Sequence, residues 1–214
     1  ADVLEAADPQ RPFTVAGNRY APIVDGYLLP VEPVVALEQG RAARVPVLVG
    51  ANEDEGTVFV PLFGPTPAFA YAQLAAFAYG ARAEQVLRLF PATSESDARP
   101  ALARSLGVAA FVAPARRLAA LVARQGVPAF LYHFTKRRPG DVAERLGAFH
   151  GAELPYVFGT LADRDVPGFG RIGVDDTDRS LADTIQRYWV RFAETGDPNG
   201  PGLPPWPRFD AGTK

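Results

Sequence analysis

Residues 45–50 read Val-Pro-Val-Leu-Val-Gly, and residues 127–135 read Val-Pro-Ala-Phe-Leu-Tyr-His-Phe-Thr. Each is a short run of β-branched, aliphatic and aromatic residues, which is typical of a strand buried on both faces. The stretch between them, residues 66–125, has mainly helical spacing, with breaks predicted at Gly80, Pro91 and Gly107. Buried strands separated by helices predict an α/β fold with a mostly parallel sheet and flanking helices.

Other elements are predicted outward from these two strands. Two strands alone do not make a stable sheet, so we expect this chain to supply one edge of a larger one. Helical spacing and capping residues predict a helix over Ser180–Glu194, capped by Asp178. The remaining predictions are a helix end at residues 1–7, a helix over residues 33–43 and a loop over residues 160–178.

Composition excludes several classes of function. The chain has 214 residues, of which 48% are apolar and 21% charged, and its net charge is −2. A core of that size argues against disorder, and the charge balance argues against a nucleic-acid partner. There is no cysteine and there are only two histidines, which excludes thiolate zinc sites and histidine-rich metal sites. No apolar run approaches 18 residues, so we expect no membrane span.

Two chemically capable side chains follow the predicted strands. Glu55 lies just after the first strand and His150 follows the second. Functional groups of open α/β sheets collect past the carboxyl ends of strands, and acid-then-histidine is the order of a Ser–Glu–His triad. Spacing alone leaves open a solvated loop carboxylate for Glu55 and a packed histidine for His150. His133, within the second strand, is interpreted as structural.

Four stretches carry a resemblance to a known family. The chain resembles the C-terminal part of type-B carboxylesterases, the family of the para-nitrobenzyl esterases and cholinesterases. The more specific stretches are GAFHGAELPYVFG and YWVRFAETGDPNGPGLPPWPRF, at residues 147–159 and 188–209. The other two are residues 22–33 and VPVLVGANEDEGTVF at residues 45–59.

The resemblance implies an α/β-hydrolase fold and assigns roles to matching positions. Glu55 matches the triad acid, and His150 matches the triad base. Val58 and Phe59 follow the acid where the family lines its substrate gorge, although packing in the core is an equal alternative for both. Glu153 matches a carboxylate close to the active site. The resemblance implies no metal and no organic cofactor.

The nucleophile of such a triad is missing from this sequence. None of the four serines lies in a G-x-S-x-G motif, and no glycine-rich oxyanion loop is present. In this family both features belong to the N-terminal part, which we expect as the partner of this chain. Residues 1–214 are therefore interpreted as the C-terminal segment of one catalytic domain, with residues 66–125 as a mainly helical insertion. We expect this segment to be incomplete and inactive without the N-terminal part.

The sequence thus predicts one half of a serine carboxylesterase that acts on small-molecule carboxylic esters. A non-catalytic, cholinesterase-like binding or adhesion protein is an alternative, although such proteins typically lose triad residues. An amide or carbamate hydrolase is a second alternative, because the same triad serves both acyl classes. Localisation stays open between cytoplasmic and secreted bacterial.

Overall fold

The structure, a computed structural model, describes residues 23–63 and 66–210. The chain divides into two compact units, residues 1–43 and 44–214. The first contains helix α1 (Pro33–Glu38), which ends earlier than the predicted helix over residues 33–43. The helix end predicted at residues 1–7 lies outside the described residues.

A two-stranded parallel sheet organises the second unit. Strand β1 (Val47–Asn52) pairs with β2 (Ala129–Phe134), with Val47 opposite Ala129 and Asn52 opposite Phe134. The expectation that β1 is buried on both faces is wrong for residues 47–50, which are only half-buried. In the described part of the chain only β2 is hydrogen-bonded to β1 within a sheet. That this pair forms one edge of a larger sheet stays a prediction. The α/β class predicted from the sequence is the fold observed.

The segment between the strands is helical. Its helices are α2 (Ala68–Tyr79), α3 (Ala83–Leu89), α4 (Glu95–Gly107) and α5 (Ala113–Arg124). The break predicted at Gly107 is wrong, because a π-helical turn over Val108–Val112 joins α4 to α5 without interruption. Gly107 instead permits close packing, since a Cβ there would lie 3.2 Å from the backbone nitrogen of Gly56.

The continuous helix Glu95–Arg124 is long and apolar enough to cross a membrane by length and composition. Core helices of soluble proteins pass the same test, and 28% of its most apolar window is buried. The absence of a membrane span therefore stays a prediction.

The chain after β2 forms a second group of elements. These are helices α6 (Asp141–Leu146) and α7 (Leu154–Val157), strands β3 (Arg164–Val166) and β4 (Gly170–Ile172), and helix α8 (Asp176–Thr195). The loop predicted over residues 160–178 is wrong in part, because β3 and β4 pair as an antiparallel hairpin. The buried Arg138 guanidinium supports the two ends of this hairpin by donating hydrogen bonds to Ala162 O at 2.6 Å and to Gly173 O at 2.8 Å.

Helix α8 begins earlier than the sequence predicts. Its N-cap is Asp175, whose carboxylate accepts the N–H of Asp178 at 2.7 Å, while Asp178 accepts the N–H of Asp175 at 2.9 Å. Asp178 is therefore the third residue of a capping box and not the cap itself. Trp189 of α8 packs on Tyr132 of β2, with ring centroids 5.4 Å apart, and so fixes the strand that precedes the histidine.

Candidate active site

Backbone pairing continues beyond the ends of β1 and β2. Asp54 forms an isolated parallel bridge with Phe149. The N–H of Asp54 donates to Ala148 O at 3.0 Å, and its carboxylate Oδ2 accepts the N–H of Ala148 at 2.8 Å. These contacts bring together the residues that come next in each segment, Glu55 and His150.

Asp54 is held by further groups around its carboxylate and its backbone carbonyl. The Arg137 guanidinium donates to Oδ2 at 3.0 Å, and the Thr57 hydroxyl lies 2.8 Å from both Asp54 O and Leu146 O. A Cβ at Gly147 would lie only 2.0 Å from Oδ2, and the φ of this residue is +70°. Glycine is therefore required at Gly147 for the carboxylate to reach the backbone that leads to His150.

Glu55 and His150 form a short hydrogen bond. Glu55 lies in a 3₁₀ turn (Glu55–Val58), and its Oε2 is 2.6 Å from His150 Nδ1. Its Oε1 accepts the backbone N–H of Asn52 at 2.8 Å. The Glu55 side chain is 6% exposed and the His150 side chain 46% exposed. A buried carboxylate thus holds one imidazole nitrogen, while the ring remains open to solvent.

Two glycines allow Glu55 to be buried. A Cβ at Gly56 would lie 1.9 Å from Ala103 O on α4, and a Cβ at Gly107 would lie 3.4 Å from the Glu55 Cβ. Only residues without side chains let the helix approach the 3₁₀ turn this closely. The helix backbone therefore shields the Glu55 carboxylate from water.

Two phenylalanine rings contact the imidazole of His150. The Phe59 and Phe111 ring centroids lie 5.3 and 4.7 Å from the His150 centroid. The two phenylalanines also stack on each other at 5.8 Å with an interplanar angle of 11°. Phe111 comes from the π-helical turn Val108–Val112, a kind of distortion that is frequent at functional sites. These rings give the histidine an apolar side.

Asn52 connects the acid segment to the histidine segment. It is 0% exposed, and its Nδ2 donates to Phe149 O at 2.8 Å and to Glu153 Oε2 at 2.5 Å. Its Oδ1 is buried and has no partner among the described residues. A buried polar atom left unpaired costs about 1–3 kcal/mol, so its retention needs an explanation.

The carboxylates of this site affect a neighbouring tyrosine. Burial, together with the negative charges of Glu153 and Glu55, raises the pKa of Tyr132 to about 12. The Tyr132 hydroxyl therefore remains protonated and neutral throughout the physiological pH range.

The histidine segment is anchored to α8 by a buried polar group. The Tyr156 hydroxyl donates to Asp178 Oδ1 at 2.5 Å, and Lys136 Nζ lies 3.2 Å from the same oxygen. Burial and this hydrogen bond raise the pKa of Tyr156. An apolar cluster surrounds the contact and includes Phe134, Ala148, Ala152, Tyr156 and Ala182. The backbone that carries His150 is thereby fixed between β2 and α8.

The structure brings most of the sequence-predicted residues together. His150 contacts both Glu55 and Phe59, and Glu153 is linked to Glu55 through Asn52. Val58 is half-buried in the 3₁₀ turn, and its place in a substrate gorge stays a prediction. Sequence reasoning missed the roles of Asn52 and Phe111. Asn52 could have been found as the last residue of the strand before the acid, whereas no sequence signal pointed to Phe111.

Within residues 23–63 and 66–210, no cluster of three His, Cys, Asp or Glu side chains could hold a metal ion. A cavity of about 330 Å³ lies between α8 and residues 200–203, and neither Glu55 nor His150 lines it.

A carboxylate and a histidine that meet beyond the carboxyl ends of neighbouring parallel strands are typical of α/β hydrolases. A sequence profile described as "Carboxylesterase family" matches residues 4–214. The chain belongs to the carboxylesterase family, which has the α/β-hydrolase fold.

Three curated relatives illustrate the match. The chain is 36% identical to a fumonisin B1 esterase of Sphingopyxis macrogoltabida over 88% of this chain and 35% of that protein. It is 30% identical to a para-nitrobenzyl esterase of Bacillus subtilis (strain 168), over 100% of this chain and 41% of that protein. It is 28% identical to carboxylesterase 4A of Bos taurus, over 91% of this chain and 37% of that protein. The chain thus spans less than half the length of these relatives.

Proposed function

We propose that the protein to which this chain belongs hydrolyses carboxylic esters through a Ser–Glu–His triad, with Glu55 as the acid and His150 as the base. The observation that carries the proposal is the 2.6 Å contact between Glu55 Oε2 and His150 Nδ1, with the acid buried and the imidazole open. Family membership supports ester hydrolysis as the reaction.

The reaction proceeds in two steps. His150 Nε2 takes the proton of a serine hydroxyl as its oxygen attacks the ester carbonyl carbon. The tetrahedral intermediate collapses, the C–O bond to the alcohol breaks, and His150 returns the proton to the departing alkoxide. Water then attacks the acyl-enzyme in the same way, releasing the carboxylic acid and restoring the serine hydroxyl.

Glu55 fixes the tautomer that this reaction needs. With Nδ1–H donated to Oε2, the lone pair of the neutral ring lies on Nε2, where it can accept the serine proton. The carboxylate then stabilises the imidazolium that forms, and low exposure strengthens that interaction.

The serine and the oxyanion hole come, in this proposal, from an N-terminal part of the same enzyme. Ser105 donates its hydroxyl to Leu102 O at 3.0 Å inside α4, and Ser94 and Ser96 pair with each other at 2.8 Å on the surface. None of the serines, Ser180 included, lies in G-x-S-x-G. Residues 1–214 are then the C-terminal segment of one catalytic domain, residues 66–125 its helical insertion, and the segment alone is inactive.

Phe59 and Phe111 form the apolar wall beside which the ester binds. Their stacked rings both face the imidazole, so a group bonded to the carbonyl under attack would contact them. The wall favours small-molecule esters with an apolar acyl or alcohol group.

Phe111→Ala tests this wall. In the full-length protein we expect kcat/KM for p-nitrophenyl butyrate to fall about tenfold, mainly through KM, which corresponds to about 1.4 kcal/mol of lost apolar contact. Phe77→Ala is the matched control, because Phe77 is 89% exposed on α2. Equal kinetics for both variants would remove Phe111 from the substrate wall.

Labelling by a fluorophosphonate tests the proposed function as a whole. The probe forms a bond from phosphorus to an activated serine oxygen and releases fluoride. We expect the full-length protein to be labelled and to cleave p-nitrophenyl butyrate, while residues 1–214 alone do neither. A folded full-length protein that is neither labelled nor active would contradict the proposal and favour a binding protein. Faster cleavage of the matching p-nitroanilide would favour an amidase.

A further inference from the structure

Asn52 makes hydrogen bonds both with Glu55 and with the segment that carries His150. It is the last residue of β1, is 0% exposed, and is linked to three groups by donated hydrogen bonds. Its backbone N–H holds Glu55, and its side-chain amide holds Phe149 and Glu153. Asn52 thus contacts both the segment that carries Glu55 and the segment that carries His150, which lie about a hundred positions apart in the sequence.

We propose that Asn52 is a positioning residue that sets the orientation of His150 relative to Glu55. The inference rests on the proposed triad and adds to it a residue that acts through others and touches no substrate. It predicts that the side-chain amide of Asn52 controls the rate and the pH dependence of the reaction.

The contacts of Asn52 act on the acid and on the base separately. The backbone N–H donates to Glu55 Oε1 at 2.8 Å and so turns the other oxygen, Oε2, toward His150. Nδ2 donates to Phe149 O, one residue before His150, and to Glu153, three residues after it. The chain that carries the imidazole is therefore held on both sides of the imidazole.

The orientation of the amide supports a role for its two donors. Nδ2 faces a carbonyl oxygen and a carboxylate oxygen, both of which only accept hydrogen bonds. A flipped amide would place Oδ1 against these two acceptors, so the observed orientation is the only favourable one. It leaves Oδ1 buried and without a partner among residues 23–63 and 66–210. A residue needed only for packing would not require that orphaned oxygen, since an apolar side chain of similar size fills the same space.

Neutrality of the side chain is the second requirement. Glu55 and Glu153 already bring two carboxylates to this site, and their charges reach the neighbouring Tyr132. An aspartate at position 52 would add a third negative charge beside both. That charge would favour the protonated form of the His150 imidazole, and only the neutral form accepts the serine proton.

Asn52→Asp in the full-length protein tests the proposal, with Asn199→Asp as the matched control. Asn199 also uses a side-chain amide to join two segments, donating to Trp206 O at 2.9 Å in the loop after α8. For Asn52→Asp we expect kcat/KM for p-nitrophenyl butyrate to fall about 10- to 100-fold at neutral pH, as small displacements of catalytic groups do. We also expect the acid limb of the kcat/KM profile to move to higher pH. Asn199→Asp should leave the pH profile in place.

Active-site titration with the fluorophosphonate separates positioning from folding. If Asn52→Asp lowers only the number of titratable sites, and the remaining sites show the parent rate and pH profile, Asn52 is structural and the proposal is overturned. An unchanged variant overturns it as well. Should Asn52→Asp not fold, Asn52→Ser replaces it: we expect kcat to fall about tenfold at a KM within twofold of the parent. An unchanged kcat per titrated site in Asn52→Ser would overturn the proposal.

Failure of this inference is distinguishable from failure of the triad. If His150→Ala and Glu55→Gln abolish turnover while Asn52→Asp keeps the parent pH profile, the triad stands and only the role of Asn52 fails. If His150→Ala and Glu55→Gln retain full activity, the proposed function fails first.

Discussion

His150→Ala in the full-length protein is expected to lower kcat about 10⁴-fold or more, the largest effect that any residue of this chain should have. The imidazole handles the proton in four transfers of one turnover, two in acylation and two in deacylation. Without it neither the serine nor the hydrolytic water is activated, although substrate binding by other parts of the site persists. We therefore expect kcat to fall while KM changes little, measured with p-nitrophenyl butyrate.

His133→Ala is the matched control for this variant. His133 is the other histidine of the chain, lies exposed on β2 and makes no hydrogen bond with Glu55. We expect His133→Ala to retain the parent activity. Residual activity above one tenth of the parent in a folded His150→Ala protein would mean that another group is the base.

Added imidazole gives the His150→Ala experiment a positive readout. The His150 side chain is 46% exposed, so its removal opens a space that solvent reaches. We expect free imidazole to restore part of the lost kcat in His150→Ala, since Glu55 and Asn52 would still hold the carboxylate ready for a ring nitrogen. No gain with imidazole in a variant that is folded and still binds substrate would argue against a purely chemical role for the ring.

The sequence places Glu55 and His150 just past two predicted strands, and the structure brings the two side chains into contact. Their roles as acid and base came from the family resemblance and stay predictions. Glu55 directly follows a recognisable strand and His150 lies in a specific motif, so their pairing follows from the parallel arrangement of two strands. Phe111 could not be predicted, because it reaches His150 only through a π-helical turn that helical spacing does not reveal. Gly107 was misread for a related reason: a glycine that stops helices elsewhere serves here to let α4 approach Glu55.

The start of α8 shows why element boundaries are harder to predict than elements. Asp175 and Asp178 are both good caps, and in the structure each carboxylate accepts the N–H of the other residue. The sequence pattern alone does not show which of the two residues is the N-cap. Likewise the hairpin β3–β4 is short and polar, and it depends on contacts from Arg138 that lie outside its own sequence.

The parallel order of β1 and β2 explains how residues far apart in the sequence, Glu55 and His150, are held together so firmly. Residues 55 and 150 are 95 positions apart, but the strands before them are neighbours and run in the same direction. The contacts of Asp54 with Ala148 and Phe149 then extend the pairing beyond the strands, and α4 packs against Glu55. The fold thus holds a buried carboxylate against a solvent-open imidazole in one fixed orientation, which is the arrangement that the proposed triad needs.

Glu55→Gln is the second variant for which we expect a very large effect, a fall in kcat of about 10⁴-fold. The amide has nearly the same shape, but it carries no charge to stabilise the imidazolium. If its NH₂ group faces Nδ1, that nitrogen becomes the acceptor and the proton moves to Nε2, which can then no longer take the proton of the serine. The variant therefore tests the tautomer and the charge without creating a cavity.

Glu53→Gln makes the same chemical change two residues away. The Glu53 side chain is 46% exposed and lies 3.8 Å from Arg137 at the surface, a contact of little energetic consequence. We expect this control to keep the parent kcat and the parent labelling rate with the fluorophosphonate. Comparable losses in Glu53→Gln and Glu55→Gln would mean that the net charge of the loop, and not the Glu55 contact, supports the reaction.

The double variant His150→Ala/Glu55→Gln decides whether the two residues act as one unit. A carboxylate that works only through the imidazole has nothing to contribute once the ring is gone. We therefore expect the kcat of the double variant to be about the same as that of His150→Ala alone. If the two residues acted independently, the two fold-losses in kcat would multiply. A further large loss in the double variant would show that Glu55 acts on the substrate or the serine independently of His150.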